Sequence, residues 1–275
     1  MGGLTFTSIG AGTMGSCGTT ADGMFCWGLP IASLNGSNLG HTSPLRVYSA
    51  TGLAPVGVTV GYTGVCALWI QGDYRETNCW GRNWEGQTGS PAAPFTALGQ
   101  GPMFLTATAQ RVVTQSTFTC VDQPGPSVQC WGAGGSGQLG NGTNVTTHAP
   151  FTVTAAGGTP VALRSVTTGQ YHACALDPNG AAYCWGNGNY GQLGNGLPPN
   201  GGAGISSNRA TPVTGGLTFR AIAAGERHTC GIGTNNKIYC WGSNYHGELG
   251  TMYKSPNQPY TNGWVADPVQ ALDPI

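Results

Sequence analysis

The tripeptide Cys-Trp-Gly occurs five times in this chain, beginning at Cys26, Cys79, Cys130, Cys184 and Cys240, at intervals of 53, 51, 54 and 56 residues. Self-similarity at a period of this size marks a repeat architecture, in which each copy is one supersecondary unit stacked on its neighbours. A second cysteine precedes each tripeptide: Cys17, Cys66, Cys120, Cys174 and Cys230, at spacings of 9, 13, 10, 10 and 10. That rule consumes all ten cysteines.

A glycine turn follows each tryptophan. It reads Gly137-Gln138-Leu139-Gly140, Gly191-Gln192-Leu193-Gly194 and Gly247-Glu248-Leu249-Gly250, less cleanly Gly86-Gln87-Thr88-Gly89, with Asn38-Leu39-Gly40 as the remnant in copy one. Upstream, the fullest copies read Val166-Thr167-Thr168-Gly169-Gln170-Tyr171-His172-Ala173-Cys174 and Ile222-Ala223-Ala224-Gly225-Glu226-Arg227-His228-Thr229-Cys230. These residues resemble the regulator of chromosome condensation repeat family. The resemblance covers essentially the whole chain, strongest in copies four and five and weakest in one and two. It implies an all-β, five-bladed β-propeller of about fifty residues per blade, against the seven blades usual in the family. The expected repeat cores are about 4–47, 56–105, 111–153, 163–213 and 219–269 of a single domain.

Composition agrees with an all-β reading. There are 48 Gly and 18 Pro, yet 39% of residues are hydrophobic, more apolar material than a disordered chain carries. Glycine at this density opposes helix and suits tight turns.

The chain also ends at the repeat phase where it starts. Gly215-Gly216-Leu217-Thr218-Phe219 matches Gly2-Gly3-Leu4-Thr5-Phe6, and Ala210-Thr211-Pro212-Val213 matches Ala266-Asp267-Pro268-Val269. Propellers protect sheet edges by joining first and last blades, so the segment around Val269 to Leu272 is expected to pair beside the N-terminal strand. The rival is pairing in trans, giving a chain of copies.

Turn sequences separate the two cysteines of a repeat, as in Asp177-Pro178-Asn179-Gly180, so each pair sits on the two arms of one hairpin. Facing residues of a hairpin lie within disulfide reach. The expected bonds are Cys17–Cys26, Cys66–Cys79, Cys120–Cys130, Cys174–Cys184 and Cys230–Cys240. Structural zinc wants cysteines two to four residues apart, with two such pairs converging, which this spacing does not offer. No metal or cofactor is expected. Five disulfides imply an oxidising location, secreted, cell-surface or virion. Met1 leads directly into a strand-like Leu4-Thr5-Phe6 with no leader pattern, so export information is expected to have been removed or bypassed. Asn35-Gly36-Ser37, Asn141-Gly142-Thr143 and Asn144-Val145-Thr146 fit the glycosylation pattern.

The repeat tryptophans Trp27, Trp80, Trp131, Trp185 and Trp241 share one position and read as apolar wedges between blades. His172 and His228 are also equivalent to one another, which suits packing or a local hydrogen bond better than catalysis. Other aromatics break the repeat. Trp84 and Tyr245 stand four residues after a repeat tryptophan and Tyr190 five, in a segment expected to be a loop on one face. Trp69, Tyr74, Tyr253, Tyr260 and Trp264 depart from the pattern too, the last three within or beside a long insertion, Thr251 to Ala266; copy four has its own, Leu197 to Arg209. Exposed Tyr and Trp make efficient anchors, so Trp84, Tyr190, Tyr245, Tyr253, Tyr260 and Trp264 are the candidate binding residues.

Only 7% of residues are charged and the formal net charge is zero, which leaves no basic surface for nucleic acid. No apolar run is long enough to insert in a membrane as a helix. Nucleophile elbows, phosphate loops and paired-histidine metal motifs are missing, so no enzyme is expected. The resulting expectation is a non-catalytic extracellular module holding a protein or glycan on one face. The alternative is a structural subunit of a filament, appendage or virion, a partner to copies of itself. An enzyme inhibitor and a nucleotide-exchange propeller rank below both.

Overall fold

A computed structural model describes residues 3–13, 15–28, 41–48, 54–62, 64–89, 95–96, 109–197, 206–251 and 263–272. Among these residues twenty strands form five antiparallel sheets of four. The first sheet runs β1 (Ser8–Ala11), β2 (Gly15–Thr20), β3 (Gly23–Gly28), β4 (His41–Tyr48). The second runs β5 (Ala54–Val60), β6 (Gly64–Gln71), β7 (Tyr74–Arg82), β8 (Phe95–Thr96). The third holds β9 (Arg111–Thr114), β10 (Phe118–Gln123), β11 (Ser127–Gly132) and β12 (Thr147–Thr152). In the fourth are β13 (Arg164–Thr168), β14 (His172–Leu176), β15 (Ala182–Gly186) and β16 (Ser207–Pro212). The fifth comprises β17 (Phe219–Ala224), β18 (His228–Gly233), β19 (Ile238–Ser243) and β20 (Trp264–Gln270). Within each sheet the strands lie in sequence order, so every connection is a hairpin.

Each cysteine pair joins the second and third strands of its sheet. Cys17 faces Cys26, Cys66 faces Cys79, Cys174 faces Cys184, and Cys230 faces Cys240. All four pairs are disulfides, as is Cys120–Cys130, with Cα atoms 4.0–4.1 Å apart.

The expected pairing of the C-terminal segment beside the N-terminal strand is not what these strands do. β20 lies against β19, with Val269 opposite Cys240, and β1 lies against β2. The reason is internal to the repeat. The Ala-x-Pro-Val match at Ala210 and Ala266 marks the fourth strand of its own copy, so it completes the fifth sheet rather than the first.

The chain divides into two compact units. One comprises Met1–Pro124, Gln129–Ala133 and Thr146–Pro150, with the first two sheets, β9 and β10. The other comprises Gly125–Val128, Gly134–Val145 and Phe151–Ile275, with the fourth and fifth. In both, the second and third strands of one sheet carry apolar side chains that pack on those of the next sheet. In the first unit Trp80, Val58 and Val60 pack on Cys17, Met24 and Cys26, with Trp27 partly covered at the edge. Trp131, Val112 and Val121 pack on Cys66, Leu68 and Cys79. In the second unit Trp241, Phe219 and Ile222 pack on Cys174, Leu176, Ala182 and Cys184. The cystine therefore forms the floor onto which the next repeat's tryptophan settles.

Candidate binding surface

The glycine turns are built twice over. In copy four the Gly191 and Gly194 amides donate to the Gly188 and Gly191 carbonyls at 2.9 and 3.0 Å, making two consecutive turns. Gly191 and Gly194 have φ of +75° and +62°, where a side chain is strained. The glutamine between them folds back, and its Oε1 accepts the Tyr190 amide at 2.8 Å. Gln138 does the same for Ser136 at 2.8 Å, Gln87 for Glu85 at 3.1 Å, and Glu248 for His246 at 2.9 Å. With its side chain so occupied, the glutamine offers its main-chain carbonyl to the next repeat. Gln192 accepts the Trp241 indole at 3.0 Å and the Thr229 hydroxyl at 3.2 Å; Gln138 accepts Trp185 at 2.9 Å; Gln87 accepts Trp131 at 3.0 Å and Thr119 at 2.9 Å.

Residues leading into these turns are held by that frame, and Trp84 and Tyr245 among them are exposed. In the first unit Trp84 is 69% exposed, and the Arg82 guanidinium lies 4.8 Å from its ring centre. In the second unit Tyr190 and Tyr245 meet edge to face, ring centres 6.3 Å apart, and Tyr245 is 57% exposed. The Arg227 guanidinium sits 4.8 Å above the Tyr190 ring, donates to its hydroxyl at 3.1 Å, and pairs with Glu226 at 3.3 Å. Half-buried Tyr190 with exposed Tyr245, Arg227 and Glu226 thus forms one cluster on hydrogen-bonded turns.

Arg227 and Glu226 were not singled out in the sequence. Their signal is positional: they occupy the bend before His228 that Gln170 and Tyr171 occupy before His172, and the fourth copy likewise exposes Tyr171 there. Tyr253 and Tyr260 lie outside the described residues, as do the Tyr74 side chain, Asn35 and most of both insertions. Trp264 opens β20 opposite Ser243 and is half-buried, a strand residue rather than a loop anchor. Trp69, grouped with the pattern-breaking aromatics, is wholly buried with Val65 and Ala67 against Cys17 and Met24. It shares their side of β6 because alternate residues of a strand face one way.

His172 is a core residue. Its Nε2 lies 2.9 Å from the Thr229 hydroxyl. Burial, helped by the charge of His228, pushes its pKa down to about 3, so the ring is neutral at ordinary pH. His228 is lowered as well, by burial, against the upward pull of Glu248. Burial acts to raise Glu248, but hydrogen bonds from its own amide, the His246 amide and the Ser243 hydroxyl, together with His228, hold it below the ordinary value. Among the described residues no three His, Cys, Asp or Glu side chains gather as a metal site would require, and no helix is long and apolar enough to cross a membrane.

The model of the regulator of chromosome condensation (RCC1) repeat matches residues 127–176 and 179–232, and a second model of the same repeat matches 163–192 and 219–248. The ultraviolet-B receptor UVR8 of Arabidopsis thaliana is 27% identical over 76% of this chain, a match spanning 46% of that receptor, so the chain covers less than half its length. Human WBSCR16 superposes with a TM-score of 0.80 at 18% identity, over 98% of this chain and 67% of that one. Prp20p of Saccharomyces cerevisiae, whose structure was described with its binding to Gsp1p and histones, gives 0.76 at 16% identity over 94% and 61%. At these identities the two structures speak for the β-propeller fold alone.

Proposed function

The chain belongs to the regulator of chromosome condensation repeat family, and from that premise we propose that it is a non-catalytic, extracellular binding module that holds a protein partner. The observation that carries the reading is the cluster of exposed Tyr245 and Arg227 around half-buried Tyr190 on glycine turns. Binding favours anchors whose side chains lose little freedom on contact, and here the edge-to-face Tyr245 contact and the Arg227 guanidinium already restrain the Tyr190 ring. Tyr and Arg are also the residues enriched where proteins meet. Prp20p, a protein of similar fold, was described with its binding to Gsp1p and histones. Trp84 with Arg82 supplies a second aromatic–arginine pair of the same kind.

The extracellular assignment is supported by the pairing of all ten cysteines, since the cytosol keeps such thiols reduced. Neutral charge and few ionisable groups leave general acid–base chemistry little material, which favours binding over catalysis.

The test is affinity capture from the fluid or surface fraction in which the protein occurs, using the wild type, Tyr245→Ala with Arg227→Ala, and Trp84→Ala, beside a glycan array. Loss of captured proteins by the double variant, with its melting temperature unchanged, is expected. Undiminished capture by both variants refutes the surface, and binding confined to the glycan array refutes the protein partner.

A further inference from the structure

We propose that the fifth sheet carries a docking face for the first sheet of a second copy of this chain, so that copies associate head to tail. The template is the junction of the fourth and fifth sheets inside the second unit. There one half is His172, Leu176 and Ala182, and the other is Phe219, Ile222, Thr229 and Trp241. The seal combines apolar packing with the His172–Thr229 contact and the Trp241–Gln192 bond.

Both halves recur on this chain only partly covered, with Ile9 and Ile238 exposed. On the fifth sheet His228, Ile232 and Ile238 repeat His172, Leu176 and Ala182, at the same distance from the cystine. The equivalent strands differ in cover: β14 is buried throughout, whereas every second residue of β18, from His228 on, is only half-buried. Ile238 is 49% exposed where Ala182 is 3%. On the first sheet, within the other unit, Phe6, Ile9 and Trp27 repeat Phe219, Ile222 and Trp241. The geometry is the same: Phe6 and Trp27 ring centres lie 5.8 Å apart, Phe219 and Trp241 5.7 Å. Each phenylalanine lies on a glycine, Gly18 or Gly231, whose place a Cβ could not take. Yet Ile9 is 64% exposed where Ile222 is 8%.

A surface that is one half of an existing interface has a partner of known shape. Large apolar residues left in water on two complementary faces favour burying each other, and a contact between unlike faces of identical chains is heterologous, propagating head to tail. In the joined copies the Trp27 indole donates to the Glu248 carbonyl of the neighbouring copy, and His228 meets its Ser16 hydroxyl, as Trp241 meets Gln192 and His172 meets Thr229.

A heterologous contact has a decisive mixing test. Ile9→Arg blocks one face and Ile238→Arg the other, at positions where solvent accepts the charge; Ile9→Asn and Ile232→Asn serve if either arginine variant fails to fold. Light scattering and sedimentation of the oxidised chain should show wild-type oligomers growing with concentration. Each single variant should be monomeric, and their equimolar mixture should form a 1:1 dimer with affinity within threefold of the wild-type contact. The chain bearing both changes should not join either. A wild type monomeric at all concentrations overturns the proposal, including the case where both substitutions lower the melting temperature of a monomer because the faces meet within one chain. A mixture that stays monomeric overturns it as well.

Discussion

The Trp241 indole donates to the main-chain carbonyl of Gln192 at 3.0 Å, and the Cβ that Gly194 lacks would lie 2.8 Å from that same indole nitrogen. Tryptophan and glycine turn are therefore one fitted joint. Four copies place the turn six residues after their own tryptophan, and in three of them its carbonyl receives the tryptophan of the next.

Gly194→Ala should be severely destabilising, by roughly 2–4 kcal/mol, because a left-handed φ and a clash with Trp241 act together. Gly216→Ala is the control. Its φ is +64° but nothing lies within 4 Å of its Cβ, so only the backbone cost of about 1 kcal/mol should appear. Urea unfolding of both variants measures the difference.

Trp241→Phe keeps the apolar wedge but removes the indole donor. The Gln192 carbonyl still accepts from Thr229, so it is not orphaned, and the loss combines one hydrogen bond with a small cavity. A fall of about 2–3 kcal/mol is expected by denaturant titration. Trp27→Phe, at the half-covered first repeat, should cost less.

Acid should destabilise the chain through His172. The unfolded chain takes up a proton below its ordinary value of 6.5, whereas the folded chain refuses it until about 3. Between those values the unfolded state binds more protons, so stability falls as pH falls, by about 2–3 kcal/mol at pH 4.5 from this ring alone. Glu248, held low in the fold, adds in the same direction as pH drops towards the carboxylate range. His172→Asn should reduce the slope between pH 7.5 and 4.5, leaving the contribution of His228, which is lowered as well. An unchanged slope would mean that His172 is not the group responsible.

Removing the fourth cystine as the pair Cys174→Ala with Cys184→Ala reopens a loop with a sequence separation of 10. Loop closure alone accounts for about 2–3 kcal/mol, and lost packing beneath Trp241 adds to it. Thermal unfolding with and without reductant should show reductant lowering the remaining stability further, since four cystines persist in the double variant.

The repeat was legible because its residues obey local rules. Cys174 and Cys184 face each other on one hairpin, Gly191 and Gly194 sit at positive φ, and Trp185 directly follows Cys184 and precedes Gly191 by six residues as in other copies, so periodicity alone located them. The place of Trp69 is not legible in the sequence, because nothing local separates a strand aromatic that points inward from one that points outward; only its company with Val65 and Ala67 does so. Arg227 went unnoticed for a related reason. It becomes part of a site only because the bend before β18 comes to rest beside the turn carrying Tyr190, 37 residues earlier.

The sequence by itself determined the five hairpins, their cystines and the turn that follows each tryptophan, since these depend on backbone sterics and on contacts between residues near in the chain. The tertiary structure decided which strand β20 joins, which faces remain in water, and how Tyr190, Tyr245 and Arg227 converge. Those outcomes depend on how one repeat lies against another. Repeats that are nearly alike in sequence differ there only in what covers them: Ile222 and Ile9 hold the same place in their copies, and one is buried while the other is not.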